Sequence, residues 1–484
     1  MQNAEPTDAE DAAGDLPGDW KLPTRFLFRF AALYFVLYAL PFPFAELWGL
    51  VGSVIQLFEI DVVPPASDWM AVVNGFFYGD PMDPGSSGFW RDTWQSITSW
   101  LGESGWTDLS VIHQRTGSGD TAHNLLKLCT STVIAFGLAL LWSLILRGPT
   151  QYRRLGRWLH LGVRWYLAFA LLGYGLIKFY AGQFSYPGLN RLLTPVGDTS
   201  PMGLVWTFMG FSKPYEVFAG LGETAAGLLL LSRRTSALGC FVAIATMTNV
   251  VLLNWLFDVP VKLYSSNLLL FSIALLVPDL GRLSQVFVTN KPAAPVRLGL
   301  TGYRFLNHCL TAFGCLWIGV HLYGAHERNM SMLEMVAIET PELYGVWEVD
   351  YQFRDGEQIE VGDPRRWELL AIDRRGFGWV RTLSGKTESL RIEEDLPNGI
   401  LEVAPASARS VTSTWTFERG ETLVDVPDPA PKEMTDFNRQ VEVERPTLLI
   451  QGRWDDADLE VYLVRKSFRL ERGFHLVQEM PFNR

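Results

Sequence analysis

The stretch YEVFAGLGETAAGLLLL, residues 215–231, carries the strongest structural signal in the chain. It is mostly apolar and close to the roughly 20 residues that a helix needs to cross a bilayer. Glu223, near its middle, lies among small residues: Gly220, Gly222, Ala225, Ala226 and Gly227. Small residues let a neighbouring helix approach closely. We therefore expect the Glu223 carboxyl to be buried between helices instead of facing lipid.

Six other apolar stretches have a comparable length, so we predict an α-helical polytopic membrane protein with about seven spans. The spans cover residues 26–41, 125–146, 158–181, 215–231, 235–257, 263–277 and 302–323. The first is not a secretory signal peptide, because residues 1–20 hold six acidic side chains and no basic one. This acidic tail is expected to be disordered.

Lysine and arginine near the helix ends predict the orientation, because cytoplasmic loops carry an excess of both. Twelve of them flank the side that includes Arg153 and Arg233, against five on the opposite side. The N-terminus is therefore expected inside a bacterial inner membrane, and seven spans place the C-terminal domain outside. A miscount of one span would invert this last conclusion. The long outward loop, 42–119, contains two apolar pieces, 44–60 and 69–78, that we interpret as interfacial or re-entrant.

Charge divides the chain into two parts. Residues 342–484 hold 47 of the 93 charged side chains, about one residue in three, whereas the first 341 residues hold about one in seven. This contrast indicates lipid around most of the first part and water around the second. The net charge is −11, and the sequence has no basic patch of the kind that binds nucleic acid, so no nucleic-acid partner is expected.

From Leu343 onward apolar and polar residues alternate, which predicts an all-β sandwich or barrel. Gly345-Val346-Trp347 resembles the opening of lipocalin-like barrels, and we favour a tryptophan that plugs a barrel end without a ligand. The expected domains are a tail (1–20), two spans with the outward loop (21–157), a four-helix bundle (158–283), a linker with the seventh span (284–341) and the β domain (342–484).

Ionisable residues inside spans are costly and are candidates for a functional site. At about 1.5 Å per helical residue, Tyr174, Glu223 and Asn249 each lie about 12 Å from the outward end of their helices. Asn267 is slightly shallower, and a rim above this layer is formed by Lys178, Asn254, Asp258 and Lys262. The layer has two interpretations. It is either an outward pocket for a carbonyl-bearing ligand or a structural pair in which Lys178 or a tyrosine holds Glu223.

Other polar residues are interpreted structurally. The cysteines, Cys129, Cys240, Cys309 and Cys315, form no C-x-x-C pair and are expected to be buried, inert thiols. No metal site is predicted. A haem bound by His160 and His308 is a less favoured alternative. Asp120 is expected to cap the helix that follows it.

A set of motifs lies within residues 158–283: Gly173-x-Gly175-x-x-Lys178, Trp206-x-Phe208-x-Gly210, Tyr215-x-x-Phe218-x-Gly220-x-Gly222-Glu223-x-x-x-Gly227, Arg234-Thr235-x-x-Leu238-Gly239, and Asn249 through Asp258-Val259-Pro260-Val261-Lys262. With these motifs the segment resembles the DoxX family of four-helix membrane proteins. For some members the resemblance implies quinone-linked sulfur oxidation or redox complexes. The added spans and β domain argue against a simple thiosulfate-oxidising role.

Two functions follow as hypotheses, and the sequence leaves open whether the protein is an enzyme. The first is a quinone-associated redox component whose ligand lies in the Glu223 layer. The second is a non-catalytic scaffold or cargo factor, in which the bundle anchors a β domain that binds a soluble or envelope partner. A small-solute transporter is less favoured, because no inverted repeat or broken helix pair is visible.

Overall fold

A computed structural model gives the fold. It describes residues 20–40, 42, 89–104, 117–145, 152–180, 182–293, 304–336, 340–406, 412–427 and 440–468. Most of the acidic tail and the pieces 44–60 and 69–78 lie outside these residues. The chain forms two compact units, Met1–Ser185 with Ser200–Leu333, and Tyr186–Thr199 with Glu334–Arg484.

The first unit is helical. Among the described residues the α-helices are α1 (Leu22–Ala39), α2 (Phe89–Glu103), α3 (Ala122–Ile145), α4 (Arg153–Phe179), α5 (Leu189–Leu193, in the second unit), α6 (Pro201–Phe211), α7 (Lys213–Leu231), α8 (Ser236–Leu256), α9 (Lys262–Leu276), α10 (Leu280–Phe287) and α11 (Arg304–Val336). Helix α4 packs on α7, α7 on α8, α8 on α9 and α9 on α4, which closes a four-helix bundle. Helix α1 packs on α3.

Within the part of the chain that the structure describes, five segments are long and apolar enough to cross a membrane: Leu22–Ala39, Ala122–Ile145, Arg153–Phe179, Ser236–Leu256 and Lys262–Phe287. The predicted spans at 215–231 and 302–323 are also helices, α7 and α11, but neither is among these five. The reason is composition, because α7 contains two glutamates and α11 mixes polar and charged residues with apolar ones.

The outer surfaces of these helices are apolar. The exposed fractions of Leu144, Phe218 and Leu256 are 70%, 69% and 72%. The bundle interior is apolar as well, with Leu167 and Phe271 beside Ala168 and Ala226. Apolar side chains on both the inside and the outside of the helices suit lipid as the surrounding solvent.

The second unit is an antiparallel β-barrel, which decides between the two predicted β architectures. Its strands are β1 (Gly345–Arg354), β2 (Glu357–Gln358), β3 (Trp367–Ile372), β4 (Phe377–Thr382), β5 (Thr387–Asp395), β6 (Ile400–Pro405), β7 (Ser413–Pro427), β8 (Gln440–Trp454) and β9 (Ala457–Arg465). Strands β1 and β3 to β9 pair in sequence order, and β9 pairs back with β1. Eight strands therefore close the barrel, with the two-residue β2 attached to β1.

Tryptophans fill the barrel interior. Trp415 is 1% exposed, and its ring stacks on that of Trp367 with centroids 5.9 Å apart. Trp347 packs in the same core, where its Nε1 donates a hydrogen bond to the carbonyl oxygen of Leu343 at 2.9 Å. This buried, hydrogen-bonded ring fits the plugging role expected for the tryptophan of Gly345-Val346-Trp347.

The loop between α4 and α6 belongs to the barrel unit. Leu189 of α5 is 1% exposed and packs with Val346, Leu369 and Ala371 of the barrel. Sequence analysis assigned this loop to the bundle segment 158–283. The loop has only isolated apolar positions, and the barrel residues that it contacts lie more than 150 residues further along the chain. The sequence around the loop therefore gives no sign that it packs on the barrel.

Candidate functional site

The centre of the candidate layer is an ion pair. Lys178 of α4 donates to both carboxylate oxygens of Glu223 on α7, with N–O distances of 2.6 and 2.7 Å. The side chains are 8% and 3% exposed. Lys178 therefore lies within the layer and not on the rim above it. Both groups are engaged with each other, which is the second of the two interpretations offered for this layer.

Glycines bring the two helices together at this pair. A Cβ built on Gly175 would lie 2.6 Å from the backbone nitrogen of Thr224, and one on Gly220 would lie 2.6 Å from that of Phe179. Real Cβ atoms do not come this close, so only glycine fits at either position. The close approach leaves the Glu223 carboxylate between helices, as the small residues around it predict.

Of the other predicted members of the layer, Tyr174 lies beside the pair and the two asparagines of α8 are apart from each other. Tyr174 is 41% exposed and its ring centroid lies 6.0 Å from the Lys178 Nζ. Asn249 is exposed, whereas Asn254 is buried and donates to the Ser265 hydroxyl at 2.9 Å. The two asparagines lie on different faces of α8, as their five-residue separation requires.

Asn267 is part of a second polar contact. It is 5% exposed, accepts a hydrogen bond from the Tyr34 hydroxyl, and donates to the Leu263 carbonyl at 2.8 Å. Tyr34 belongs to α1, which sequence analysis placed outside the bundle. The buried asparagine therefore links α9 to α1, and its hydrogen-bonding groups are used within the protein.

The remaining rim residues form a cap. The Asp120 carboxylate accepts hydrogen bonds from the backbone nitrogens of Lys262 at 2.7 Å and Leu263 at 3.0 Å. The Lys262 Nζ lies 2.7 Å from Asp258 and 3.7 Å from Asp120. The expectation that Asp120 caps its own helix is wrong. It caps the N-terminus of α9, while the Thr121 hydroxyl accepts from Asn124 in α3.

Glu216, which the sequence did not single out, lies seven residues before Glu223 on α7. It is fully buried, and its Oε1 accepts hydrogen bonds from the backbone nitrogens of Gln183 and Phe184, both at 2.9 Å. Lys213 contacts its other oxygen at 3.0 Å. The seven-residue spacing from Glu223, which puts both carboxyls on one helix face, was the signal that could have identified it.

The barrel surface carries a second cluster of aromatic and acidic side chains. The Tyr462 ring of β9 lies 6.4 Å from that of Tyr351 and 6.3 Å from that of Phe353, both on β1. Beside them is an open hollow of about 530 Å³, whose lining includes Asp458 and Glu460. A hydrogen bond with Glu460 raises the pKa of Tyr462. We call Tyr351, Phe353, Tyr462, Asp458 and Glu460 the aromatic–acidic surface.

Thiols and metal ligands do not cluster in the part of the chain that the structure describes. No group of three or more His, Cys, Asp or Glu side chains there is placed to hold a metal ion. Of the four free cysteines, only Cys240 is buried, so the expectation of buried thiols is wrong for Cys129, Cys309 and Cys315. These three lie on outer helix surfaces, where a thiol is as compatible with lipid as an aliphatic side chain.

The fold and the site together define a class: a helical protein with apolar helices long enough to cross a membrane, a paired charge inside a four-helix bundle and an appended β-barrel. The chain is 36% identical over 126 residues to the uncharacterized protein YwoB of Bacillus subtilis (strain 168), which covers 26% of this chain and 79% of YwoB. The chain therefore belongs to the same family as YwoB. No family model and no solved structure matches it.

Proposed function

We propose that the protein is a non-catalytic membrane scaffold, in which a DoxX-like bundle anchors a barrel that binds a partner protein. The Lys178–Glu223 pair carries this proposal, because both charges of the layer are satisfied by each other. Asn254, Asn267 and Asp120 are likewise engaged in contacts that hold helices in place. Buried ion pairs are best attested as devices that fix one arrangement of helices.

The barrel is proposed to lie outside a bacterial inner membrane. Residues 186–199 pack with the barrel strands, so the loop after α4 and the barrel share one side of the bilayer. Among the described residues, three candidate spans, α1, α3 and α4, precede this loop. With the N-terminus inside, as the lysine and arginine distribution predicts, the third span ends outside. The barrel and the loop share one side if α7 and α11 both cross, and we propose that they do, which places the α7–α8 turn inside.

Cysteine labelling of intact cells tests this topology. In a background in which the four native cysteines are replaced by serine, Lys386→Cys in the barrel and Val196→Cys in the loop should react with a membrane-impermeant maleimide. Ser232→Cys, between α7 and α8, should react only after the cells are lysed. Labelling of Val196→Cys and Ser232→Cys from the same side would overturn the proposed topology.

The aromatic–acidic surface is the proposed partner site, and its occupant is an envelope protein with a basic face. Aromatic side chains are enriched at protein interfaces, and the acidic excess of residues 342–484 favours a positively charged partner. In full-length protein, crosslinking from Tyr351 should recover a basic partner, and Glu460→Lys should abolish the crosslink. An unchanged crosslink in Glu460→Lys would exclude this surface.

The quinone-linked alternative uses the same layer and is tested separately. A ligand that binds only the folded state raises the unfolding temperature. We expect a short-chain ubiquinone analogue to leave the unfolding temperature of the purified full chain unchanged. A rise that is lost in Glu223→Gln would contradict the scaffold proposal and support a quinone site.

A further inference from the structure

Three arginines surround a cavity at the end of the bundle opposite the Glu223 layer. The cavity has a volume of about 240 Å³ and lies between the α7–α8 turn and helix α10. Its basic lining is Arg233, Arg234 and Arg282, and its apolar lining is Ala237, Leu283, Val286, Phe287 and Ala293. A polar basic wall and an apolar wall therefore meet in one hollow.

The cavity keeps an excess of positive charge. Arg233 contacts the Asp279 carboxylate at 2.8 and 3.2 Å, and Arg282 contacts the same carboxylate at 3.0 Å. Among the residues that the structure describes, those lining the cavity include three arginines and no acidic side chain. Two of these arginines contact the Asp279 carboxylate, and the third, Arg234, is exposed.

The apolar wall is built for contact with acyl chains. Helix α10 is amphipathic, and its exposed side chains include Val286 at 46% and Phe287 at 74%. Phe287 also packs against Phe241 of α8, with ring centroids 6.4 Å apart. An amphipathic helix with basic and aromatic residues is typical of an element that lies at the membrane surface.

We infer that this cavity, which we call the arginine pocket, binds the headgroup of an anionic phospholipid. The guanidinium groups would hold the phosphate, for which their planar donors are well suited, while the Phe287 side contacts the acyl chains. Basic pockets between helices on the cytoplasmic side are a known mode of lipid headgroup recognition. The inference rests on the proposed membrane placement, which puts Arg233, Arg234 and Arg282 on the inner side.

Arg29 is an arginine that is not available to a ligand, and it contrasts with Arg234. It is 3% exposed, and its guanidinium donates to the Tyr152 hydroxyl at 2.6 and 2.8 Å and to the Ser143 hydroxyl at 2.7 Å. All three contacts are inside the helical unit. The Arg234 side chain, by comparison, borders open space at the cavity.

The test is lipid binding to the full chain, purified in neutral detergent. Phosphatidylglycerol is titrated against phosphatidylcholine, and bound lipid is counted by native mass spectrometry. We expect a preference for phosphatidylglycerol that weakens as salt is raised. Arg234→Gln should lower the affinity about fivefold, since one basic residue near a lipid surface contributes on the order of 1 kcal/mol. The double variant Arg234→Gln, Arg282→Gln should lose most of the preference.

Arg157→Gln is the matched control, because Arg157 is exposed on the same predicted side but does not line the cavity. It should bind phosphatidylglycerol as the unchanged protein does. Equal effects of Arg157→Gln and Arg234→Gln, or competition by inorganic phosphate alone at the same concentration, would overturn the inference. Failure of the chain to insert into liposomes would instead contradict the proposed membrane placement.

Discussion

The bundle and the barrel have apolar cores but differ in where their charges and outer apolar side chains lie. The α4–α7 contact adds glycines and the buried Lys178–Glu223 pair to its apolar core, and further large apolar side chains point outward. In the barrel, Trp415 and Trp367 fill the interior, and the ion pairs lie on the surface. In lipid, burial of apolar surface does not drive helices together, so close packing and polar contacts must do so. In water, apolar burial is the main driving force.

The difference is what we expect if lipid surrounds the helical unit, as proposed above, and water surrounds the barrel. It also gives the charge contrast in the sequence a physical meaning. Charges in the first part are few, and some of them, such as Lys178 and Glu223, form contacts between helices, whereas the ion pairs of the barrel lie on its surface.

The largest effect is expected in the barrel core. Trp415→Ala removes a fully buried ring and should destabilise the barrel by about 3–5 kcal/mol. Hydrogen exchange of strands β7 and β8 in the full chain measures the loss. Tyr351→Ala, which removes a ring that is 51% exposed, serves as control and should cost far less. Equal losses in the two variants would mean that the interior ring does not organise the barrel.

The next effect is in the bundle. Lys178→Met leaves the Glu223 carboxylate buried without its partner and should destabilise the helical unit by about 3 kcal/mol. Unfolding in mixed detergent micelles measures this. Lys262→Met removes a lysine whose partner, Asp258, is 80% exposed at its side chain, and should cost less than about 1 kcal/mol. A cost for Lys178→Met no greater than that for Lys262→Met would show that the pair is solvated.

Helix approach is tested by two glycines on one helix. Gly175→Ala places a Cβ against Thr224 of α7 and should destabilise the bundle by about 1–3 kcal/mol. Gly173→Ala meets nothing within 4 Å and should be neutral or stabilising, because alanine is the better helix former. The same detergent unfolding assay compares them. Destabilisation by Gly173→Ala alone would contradict the described packing of α4 on α7.

Loss of the long-range cap should have a smaller effect. Asp120→Ala removes the acceptor of two backbone hydrogen bonds at the start of α9 and should cost about 1 kcal/mol. Faster hydrogen exchange at Lys262 and Leu263 is the expected sign. Thr121→Ala should instead speed exchange at the start of α3. If Asp120→Ala instead sped exchange at the start of α3 and Thr121→Ala at the start of α9, Asp120 would cap its own helix, as the sequence predicts.

The smallest effect is a pH dependence of the barrel. The Arg365 guanidinium lowers the pKa of Asp363 from 3.8 to about 2. A depressed carboxyl pKa stabilises the folded state above the unfolded value, and this contribution is lost as pH falls from about 4 towards 2. Asp363→Asn should therefore show a slightly flatter dependence of barrel stability over this range. An identical pH profile would mean that the contact is absent in solution.

Local patterns in the sequence predicted much of this arrangement. The small residues around Glu223 indicated a buried carboxyl, and the alternation after Leu343 indicated a closed or sandwiched β domain. Contacts between distant segments could not be predicted. Asp120 caps a helix that begins 142 residues later, and Glu216 binds amides that precede it by more than 30 residues. Such contacts depend on how helices pack, which leaves no periodic signature in one sequence.

The most direct test of the account is a double-mutant cycle on the central pair. Lys178→Met, Glu223→Met and the double variant are compared by detergent unfolding of the full chain. Each single variant leaves one buried charge alone, so we predict that the double variant is more stable than the Lys178→Met variant by at least 1 kcal/mol, with a coupling of roughly 2–3 kcal/mol. Additive effects, or stabilisation by Glu223→Met alone, would show that Glu223 is kept for a ligand or a proton and would contradict the scaffold.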